Sequence, residues 1–477
     1  MTVLNKGLML LAPGLLLAGC TMALRYERPA LPVPAAPTNT QQADETPPLA
    51  WNAFFTDARL REVITLALAN NRDLRIAMAH VAEARARAHV QGADLFPTIT
   101  AGAGGTIERV PPGLSGVTSQ ASGTGSRYDI YQAQVGVSAW EVDLFGRVRS
   151  LTKAAQDQYF ASAANRRAAQ VTLVSEVAMA WLQLVADREQ LRIAGETADS
   201  FEQTLKITQA RAAMGVSSDL DIHQAETSYQ QARSDIARLT TTIAQDRNAL
   251  DLLAGTAIAD DLLPNRQDGS DATITSLPGG LASRVLLKRP DVQAAEFQLK
   301  AANANIGAAR AAFFPNISLT AAFGTLSLGL SNLFGSGSQN WSVAPTVSVP
   351  IFDAGRNIAN LDEAKATQDE MVATYEKAIQ TAFREVADAL ARRATIGDQL
   401  GAQEKRANAA QGALKISQAR YEEGVDPFLT TLDSQRSYYT ARQDLVTTRL
   451  TRQTNAVELY RALGGGLSDG DARTSGA

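Results

Sequence analysis

The sequence predicts a mainly α chain with a β-barrel membrane part, built as an internal duplication with four strands and long coiled-coil-like helices per chain. Three observations predict it. Two stretches, at about residues 97–142 and 315–352, alternate apolar and polar side chains with a period of two. The motifs around them recur at near-constant separations. The rest of the chain reads as helix, with apolar seams far longer than an ordinary globular helix carries.

Composition narrows the classes. Apolar content is 45%, much of it Ala, and aromatics are only 6%, which suits long, closely packed helices. A formal charge of −4 argues against nucleic acid as a partner. His80, His89 and His223 are scattered, with no cysteine nearby, and read as surface or packing residues. A single cysteine excludes an intrachain disulfide and a Cys-rich zinc site, so no metal or cofactor is expected.

At the amino terminus, Lys6 precedes the apolar run LMLLAPGLLLAG, too short to span a bilayer as a mature helix. Residues 1–19 read as a secretory signal peptide. Leu17-Ala18-Gly19-Cys20 resembles the lipobox of bacterial lipoproteins, which implies cleavage before Cys20 and lipidation of that residue. Thr21 follows where an inner-membrane retention signal would place Asp. Residues 20–50 then read as a lipidated terminus and tether, Pro/Ala-rich and extended from Arg28 to Pro48, with folded structure beginning near Trp51.

Two repeats follow, at residues 51–255 and 284–466, joined by a linker at 256–283 and trailed by a flexible tail at 467–477. Asp73 and Asp291 are separated by 218 residues, as are Pro97 and Pro315. Gly146 and Gly355 are separated by 209, as are Gly215 and Gly424. The drop falls inside the hairpin, where the first copy has the longer loop. Each repeat reads helix, strand, loop, strand, long helix, Gly-Val break, helix.

The second hairpin is the clearer. Ile317, Leu319, Ala321 and Phe323 share one face, against Asn316, Ser318, Thr320 and Gly324. On the return, Trp341, Val343, Val347, Val349 and Ile351 oppose Ser342, Thr346 and Ser348. In the first copy Tyr131, Ala133, Val135, Val137 and Ala139 oppose Gln132, Gln134, Gly136 and Ser138, with a loop expected from Glu108 to Arg127. Helices from about Arg147 to Met214 and Asn357 to Glu423 would each extend on the order of 100 Å. Val372, Tyr375, Ile379, Ala382, Val386, Ala389, Ile396 and Leu400 form a seam on the second, with Phe383 and Leu390 beside it. Leu173, Val177, Ala180 and Leu184 do the same on the first.

No stretch of the mature chain reads as a transmembrane helix, whereas strands of about ten residues match a tilted membrane strand. Open strand edges cannot face lipid, and four strands are too few to close a barrel. Strands must therefore be pooled between two or three subunits. Both helices flanking each hairpin return to one side, and the polar face with Gln132, Gln134, Ser318, Thr320 and Thr346 would line a wet lumen.

Beyond these readings, the chain resembles the outer membrane factor family of the TolC type, in the lipoprotein branch typified by OprM and NodT. The residues that carry the resemblance are the LAGC lipobox, the paired Phe-Pro strand starts, VPIFDAGR at 349–356, RYEEGVDPFLTTLDSQRSYYTARQDLVTTRL at 420–450, and LYRALGGG at 459–466. The resemblance implies a homotrimer with a twelve-stranded barrel and a helical periplasmic tunnel, lipid-anchored in the outer membrane. It implies a passive exit duct for drugs or other small toxic compounds, partnered by a periplasmic adaptor (membrane fusion) protein and an inner-membrane pump of the RND type. The alternative within the family is an exit duct for type I protein secretion.

Gly215 and Gly424 are expected at helix–helix turns, with Asp426 capping the next helix and Pro427 just inside it. Leu429, Asp433 and Arg436 recur at spacings of four and three, on one helical face. The resemblance makes Leu429 an apolar collar and Asp433 a carboxylate ring of a periplasmic gate, with Arg436 linking to a neighbouring helix. Read without it, the same residues are a solvated helix start. Thr430 stands where some relatives carry a further aspartate.

Two other classes fit less well. An enzyme would need a nucleophile or metal pattern, and no G-x-S-x-G, H-E-x-x-H or P-loop occurs. A coiled-coil fibre would have no use for hairpins with a polar face.

Overall fold

Within the computed structural model, the described residues are 21–30, 32, 50–110, 126–264, 272–273 and 283–466. The signal peptide, Cys20, most of the tether and the tail at 467–477 lie outside them. The first repeat runs α1 (Trp51–Phe54), α2 (Ala58–Asn70), α3 (Arg72–Ala93), β1 (Ile99–Val110), β2 (Ser126–Glu141), α4 (Arg147–Ala213) and α5 (Asp219–Ala254). The second runs α6 (Pro290–Ala311), β3 (Asn316–Ser327), β4 (Gln339–Ser348), α7 (Arg356–Glu422) and α8 (Phe428–Ala462). Helices α4 and α7 are both 67 residues long.

The chain divides into two compact units, and each draws on both repeats. One contains residues 1–30, 81–162 and 295–375. Its centre is an antiparallel sheet in the order β1-β2-β3-β4, so β1 and β4 each keep one edge unpaired within the chain. The strands are longer than the expected ten residues in β1, β2 and β3, and the loop expected from Glu108 to Arg127 narrows because β1 runs to Val110 and β2 starts at Ser126. Strands β2 and β3 approach so closely that a Cβ on Gly324 would lie 2.1 Å from the Ala133 carbonyl oxygen, and one on Gly136 would lie 2.4 Å from that of Ala321. No side chain larger than hydrogen fits there.

The alternation expected through Ala139 breaks. A bulge between Val137 and Trp140 shifts the β2–β3 register, and Ala139 takes φ of 49°. Its N–H, released from the ladder, donates to Thr320 Oγ1 at 3.1 Å. The two long helices start alike. Asp143 Oδ2 accepts from the Arg149 N–H at 2.9 Å, and Asp353 Oδ2 accepts from that of Asn357 at 2.9 Å. Gly146 (φ 75°) and Gly355 (φ 84°) supply the left-handed residue ahead of each helix. Phe145 stacks on Phe314 between the hairpin bases, 4.9 Å between ring centres.

Residues 21–30 correct the expectation that Arg28 opens a free tether. They are packed on α6. Glu296, 6% exposed, accepts from the Arg28 guanidinium, Nη2 donating to both carboxylate oxygens at 2.9 Å and Nε to Oε1 at 3.2 Å, and Asn303 Nδ2 donates to the Leu24 carbonyl at 3.0 Å. Gly307 makes room: a Cβ there would lie 2.7 Å from that of Ala23. A Pro/Ala-rich composition says nothing of a partner 268 residues away.

The other unit contains residues 31–80, 163–294 and 376–477. Its core gathers Phe54, Leu60 and Ile64 from α1 and α2, and Phe55 from the link between them, against Val177, Trp181 and Leu182 of α4, Leu250 of α5, and Val457 and Tyr460 of α8. Phe54 and Tyr460 stack with ring centres 4.5 Å apart. Helix α4 has one window long and apolar enough by composition to cross a membrane, with a mean hydropathy of 1.4, but 56% of that window is buried. Its apolar residues serve a protein core. Arg289, 6% exposed, pairs with Asp291 at 2.7 Å and Glu385 at 2.8 Å and donates to the Ala462 carbonyl at 2.8 Å, fastening the start of α6 to α7 and the end of α8. Ile379, Ala382, Val386, Ala389, Ile396 and Leu400 are buried along α7, while Phe383 beside them is 37% exposed.

Candidate functional site: two helix turns and the start of α8

Both Gly-Val breaks are Schellman turns. Gly215 has φ of 73°; its N–H donates to the Ala212 carbonyl at 2.8 Å and that of Val216 to Arg211 at 2.9 Å. Gly424 has φ of 74°, with Gly424 N–H to Tyr421 at 3.0 Å and Val425 N–H to Arg420 at 2.8 Å. The two closing hydrogen bonds satisfy carbonyls that a helix end otherwise leaves bare.

The helices that leave the turns start differently. At α5, Ser218 and Asp221 form a capping box. At α8 the expectation for Asp426 fails. The N-cap is Pro427, with no side-chain cap, because the Asp426 carboxylate is taken by Arg420 at 2.6 and 2.8 Å. This bidentate pair holds the Asp426 carboxyl below its ordinary range. Thr431 secures the start of α8 instead, donating from Oγ1 to the Ser417 carbonyl at 3.0 Å.

Arg211 joins the two turns. Its guanidinium carbon lies 4.3 Å from the Tyr421 ring centre, and its Nη1 and Nη2 each donate at 3.2 Å, to the Tyr421 and Glu422 carbonyls. Arg420, its counterpart in the duplication, turns to Asp426. One ancestral position thus does two jobs.

Along α8 the expected site residues part company. Leu429 is 56% exposed, and Asp433 is exposed, with no ion pair among the described residues. Arg436 instead reaches α5, donating from Nε and Nη2 to Ser228 Oγ at 3.1 and 2.8 Å. Further polar contacts follow on the same side: Gln435 to Thr204 at 2.9 Å, Tyr439 to Asp235 at 3.0 Å and Arg442 to Glu196 at 2.8 Å. Burial and the nearby Asp235 carboxylate push the Tyr439 hydroxyl up. Burial alone would raise Glu196, but Arg442 and Arg192 outweigh it and hold the carboxyl low. Sequence spacing could not separate the free pair Leu429 and Asp433 from the tied residues, since all lie within about four turns of one helix. Arg211, Ser228 and Asp235 went unread because their partners are some two hundred residues away. Cys20 lies outside the described residues.

A profile of outer membrane efflux proteins matches residues 63–256 and 281–465. The chain belongs to the outer membrane efflux protein family. It is 43% identical over 476 residues to the toluene efflux pump outer membrane protein TtgC of Pseudomonas putida, covering 97% of this chain and 96% of that protein. It is 42% identical over 472 residues to the outer membrane protein OprJ of Pseudomonas aeruginosa, with 97% and 96% covered. The open-state MtrE outer membrane channel of Neisseria gonorrhoeae superposes with a TM-score of 0.84 at 38% identity, over 94% of this chain and 99% of that one. The chain is the outer membrane channel component of a tripartite efflux system. Its four strands are a third of the twelve-stranded barrel that closes in the trimer, which also has an α-helical tunnel.

Proposed function

We propose that this channel is the passive exit duct for drugs or other small toxic compounds, opened at the two helix turns when a periplasmic adaptor and an inner-membrane pump of the RND type engage them. The observation that carries the reading is the contrast on α8. Leu429 and Asp433 stay exposed in the protomer, while Arg436, Tyr439 and Arg442 are bound to α4 and α5. Three copies of Leu429 around a trimer axis would form an apolar collar, and three Asp433 carboxylates a ring behind it. Arg436 holds the start of α8 to α5 through Ser228, so the gate widens when that link yields. Cys20 carries the lipid that anchors the mature chain in the outer membrane. Relatives named for toluene and antibiotic efflux favour small compounds over secreted proteins as cargo.

Single-channel conductance of the trimer in planar bilayers tests the gate. Leu429→Ala and Asp433→Ala each raise conductance over the parent channel; if neither does, the gate lies elsewhere. Toluene and antibiotic tolerance in cells lacking their own efflux channel tests the cargo class.

A further inference from the structure

The outward face of the sheet carries a feature that conduction through a lumen does not use. On the register of β1, β2 and β3, Ala101, Ala103, Ala133, Val135, Phe323 and Thr325 share one face, opposite Gln132, Gln134 and Thr320. This is the apolar face, and in a closed barrel it meets lipid. The alanines floor a shallow apolar depression of about 500 Å³, walled by Val135, Phe323 and Phe334. Phe334, 80% exposed, comes from the β3–β4 loop. Toward the loop end of the same face, the Tyr131 ring covers Gly105, and beyond it Arg109 stands directly opposite Arg127.

Like charges facing each other across a strand pair are unfavourable unless an anion lies between or above them. Asp129, on the same face, takes Arg127 at 2.6 and 2.8 Å. Arg109 has no ion pair among the described residues, so the platform keeps a net positive charge. The flanking helices leave from the opposite ends of these strands, so the Arg109–Arg127 end points away from them, to the outer leaflet. The spacing fits a lipid. Six residues from Arg109 to Ala103 rise roughly 20 Å along the strand. At a tilt of about 45° this is roughly 14 Å along the membrane normal, within the reach of a lipid's acyl chain.

We propose that this face is a binding site for a phosphate-bearing lipid of net negative charge in the outer leaflet, with its phosphate on Arg109 and Arg127 and an acyl chain seated over Ala101, Ala103 and Ala133 under Phe334. Charge complementarity selects the headgroup and the depression selects the chain. The inference rests on the reading of the chain as a barrel-forming channel.

The test titrates the detergent-solubilised trimer with diphosphorylated lipid A, with phosphatidylethanolamine and inorganic phosphate as competitors. The Arg109→Ala/Arg127→Ala variant weakens lipid A binding at least tenfold, and Ala103→Phe, which fills the depression, weakens it severalfold. Both keep the parent single-channel conductance. Binding within twofold of the parent in both variants overturns the proposal. So does full competition by phosphatidylethanolamine, or by millimolar inorganic phosphate, which would mark a free-anion site. A conductance change in the arginine variant would place the pair in the lumen and overturn it too. A parent protein with no conductance would strike the channel reading itself, and the lipid site with it.

Discussion

The Arg211 guanidinium lies 4.3 Å from the centre of the Tyr421 ring and donates to the carbonyls of Tyr421 and Glu422. A single side chain therefore ties the last turn of α4 to the last turn of α7. It satisfies two carbonyls at a helix end and adds a cation–π contact. Arg211→Ala is expected to loosen this junction by about 1–2 kcal/mol. Amide exchange at residues 421–425 should speed up accordingly. Unchanged exchange there would mean that the Schellman turn at Gly424 holds α7 unaided.

Arg436 and Ser228 form the link between α8 and α5, and a double-mutant cycle isolates it. Arg436→Ala and Ser228→Ala should each raise conductance, and the double variant should add little to either. A coupling of about 1 kcal/mol is expected from two hydrogen bonds to one hydroxyl. Strict additivity would show that the two residues act separately.

Acid should release the segment at 21–30. Burial alone would raise the Glu296 carboxyl, but hydrogen bonds from Arg28 and Lys300 reverse this and hold it below the ordinary range. A carboxyl lowered in the folded state contributes stability above its unfolded value of about 4, and that contribution goes as pH falls through the folded value. Limited proteolysis at residues 21–30 should therefore be slow near neutrality and quicken below about pH 4. Glu296→Gln should be cut at neutral pH as fast as the parent is in acid.

Asp246 on α5 behaves in the opposite sense. Burial, with the Asp187 carboxyl of α4 beside it, pushes it up to about 6. A carboxyl raised in the folded state favours folding at low pH, and the advantage is lost as pH rises from about 4 through 6. The parent should melt at a higher temperature at pH 5 than at pH 8, and Asp246→Asn should flatten that difference. A pH dependence that survives the substitution would place its origin elsewhere.

Strand contact makes two glycines unequal. Gly324→Ala sets a Cβ 2.1 Å from the Ala133 oxygen, whereas Gly102→Ala meets nothing within 4 Å. The first should sharply reduce the yield of trimer that survives on a native gel, and the second should leave it intact.

Much of this molecule is written in patterns that local chemistry reads directly. Period-two alternation marked both hairpins, and the 3,4 spacing from Tyr375 to Leu400 marked a seam that is buried in the fold. Gly215 and Gly424, 209 residues apart, marked both turns, because a left-handed residue at a helix end tolerates little else. The α8 residues were legible as a group but not one by one. Helical spacing says which side chains share a face, and only the neighbour across from that face says which are tied.

The sequence by itself determined the duplication, the class of each element and the need to pool strands between subunits, since these follow from periodicity, glycine geometry and the unmet hydrogen bonds of a strand edge. Only the tertiary structure decided that residues 21–30 dock on Glu296, that Arg211 and Arg420 take different partners, and that Ala139 leaves the ladder at a bulge. The physical reason is distance along the chain. A salt bridge across 268 residues, or a hydroxyl waiting 181 residues away for a displaced N–H, leaves no local trace until packing brings the two groups within 3 Å or so.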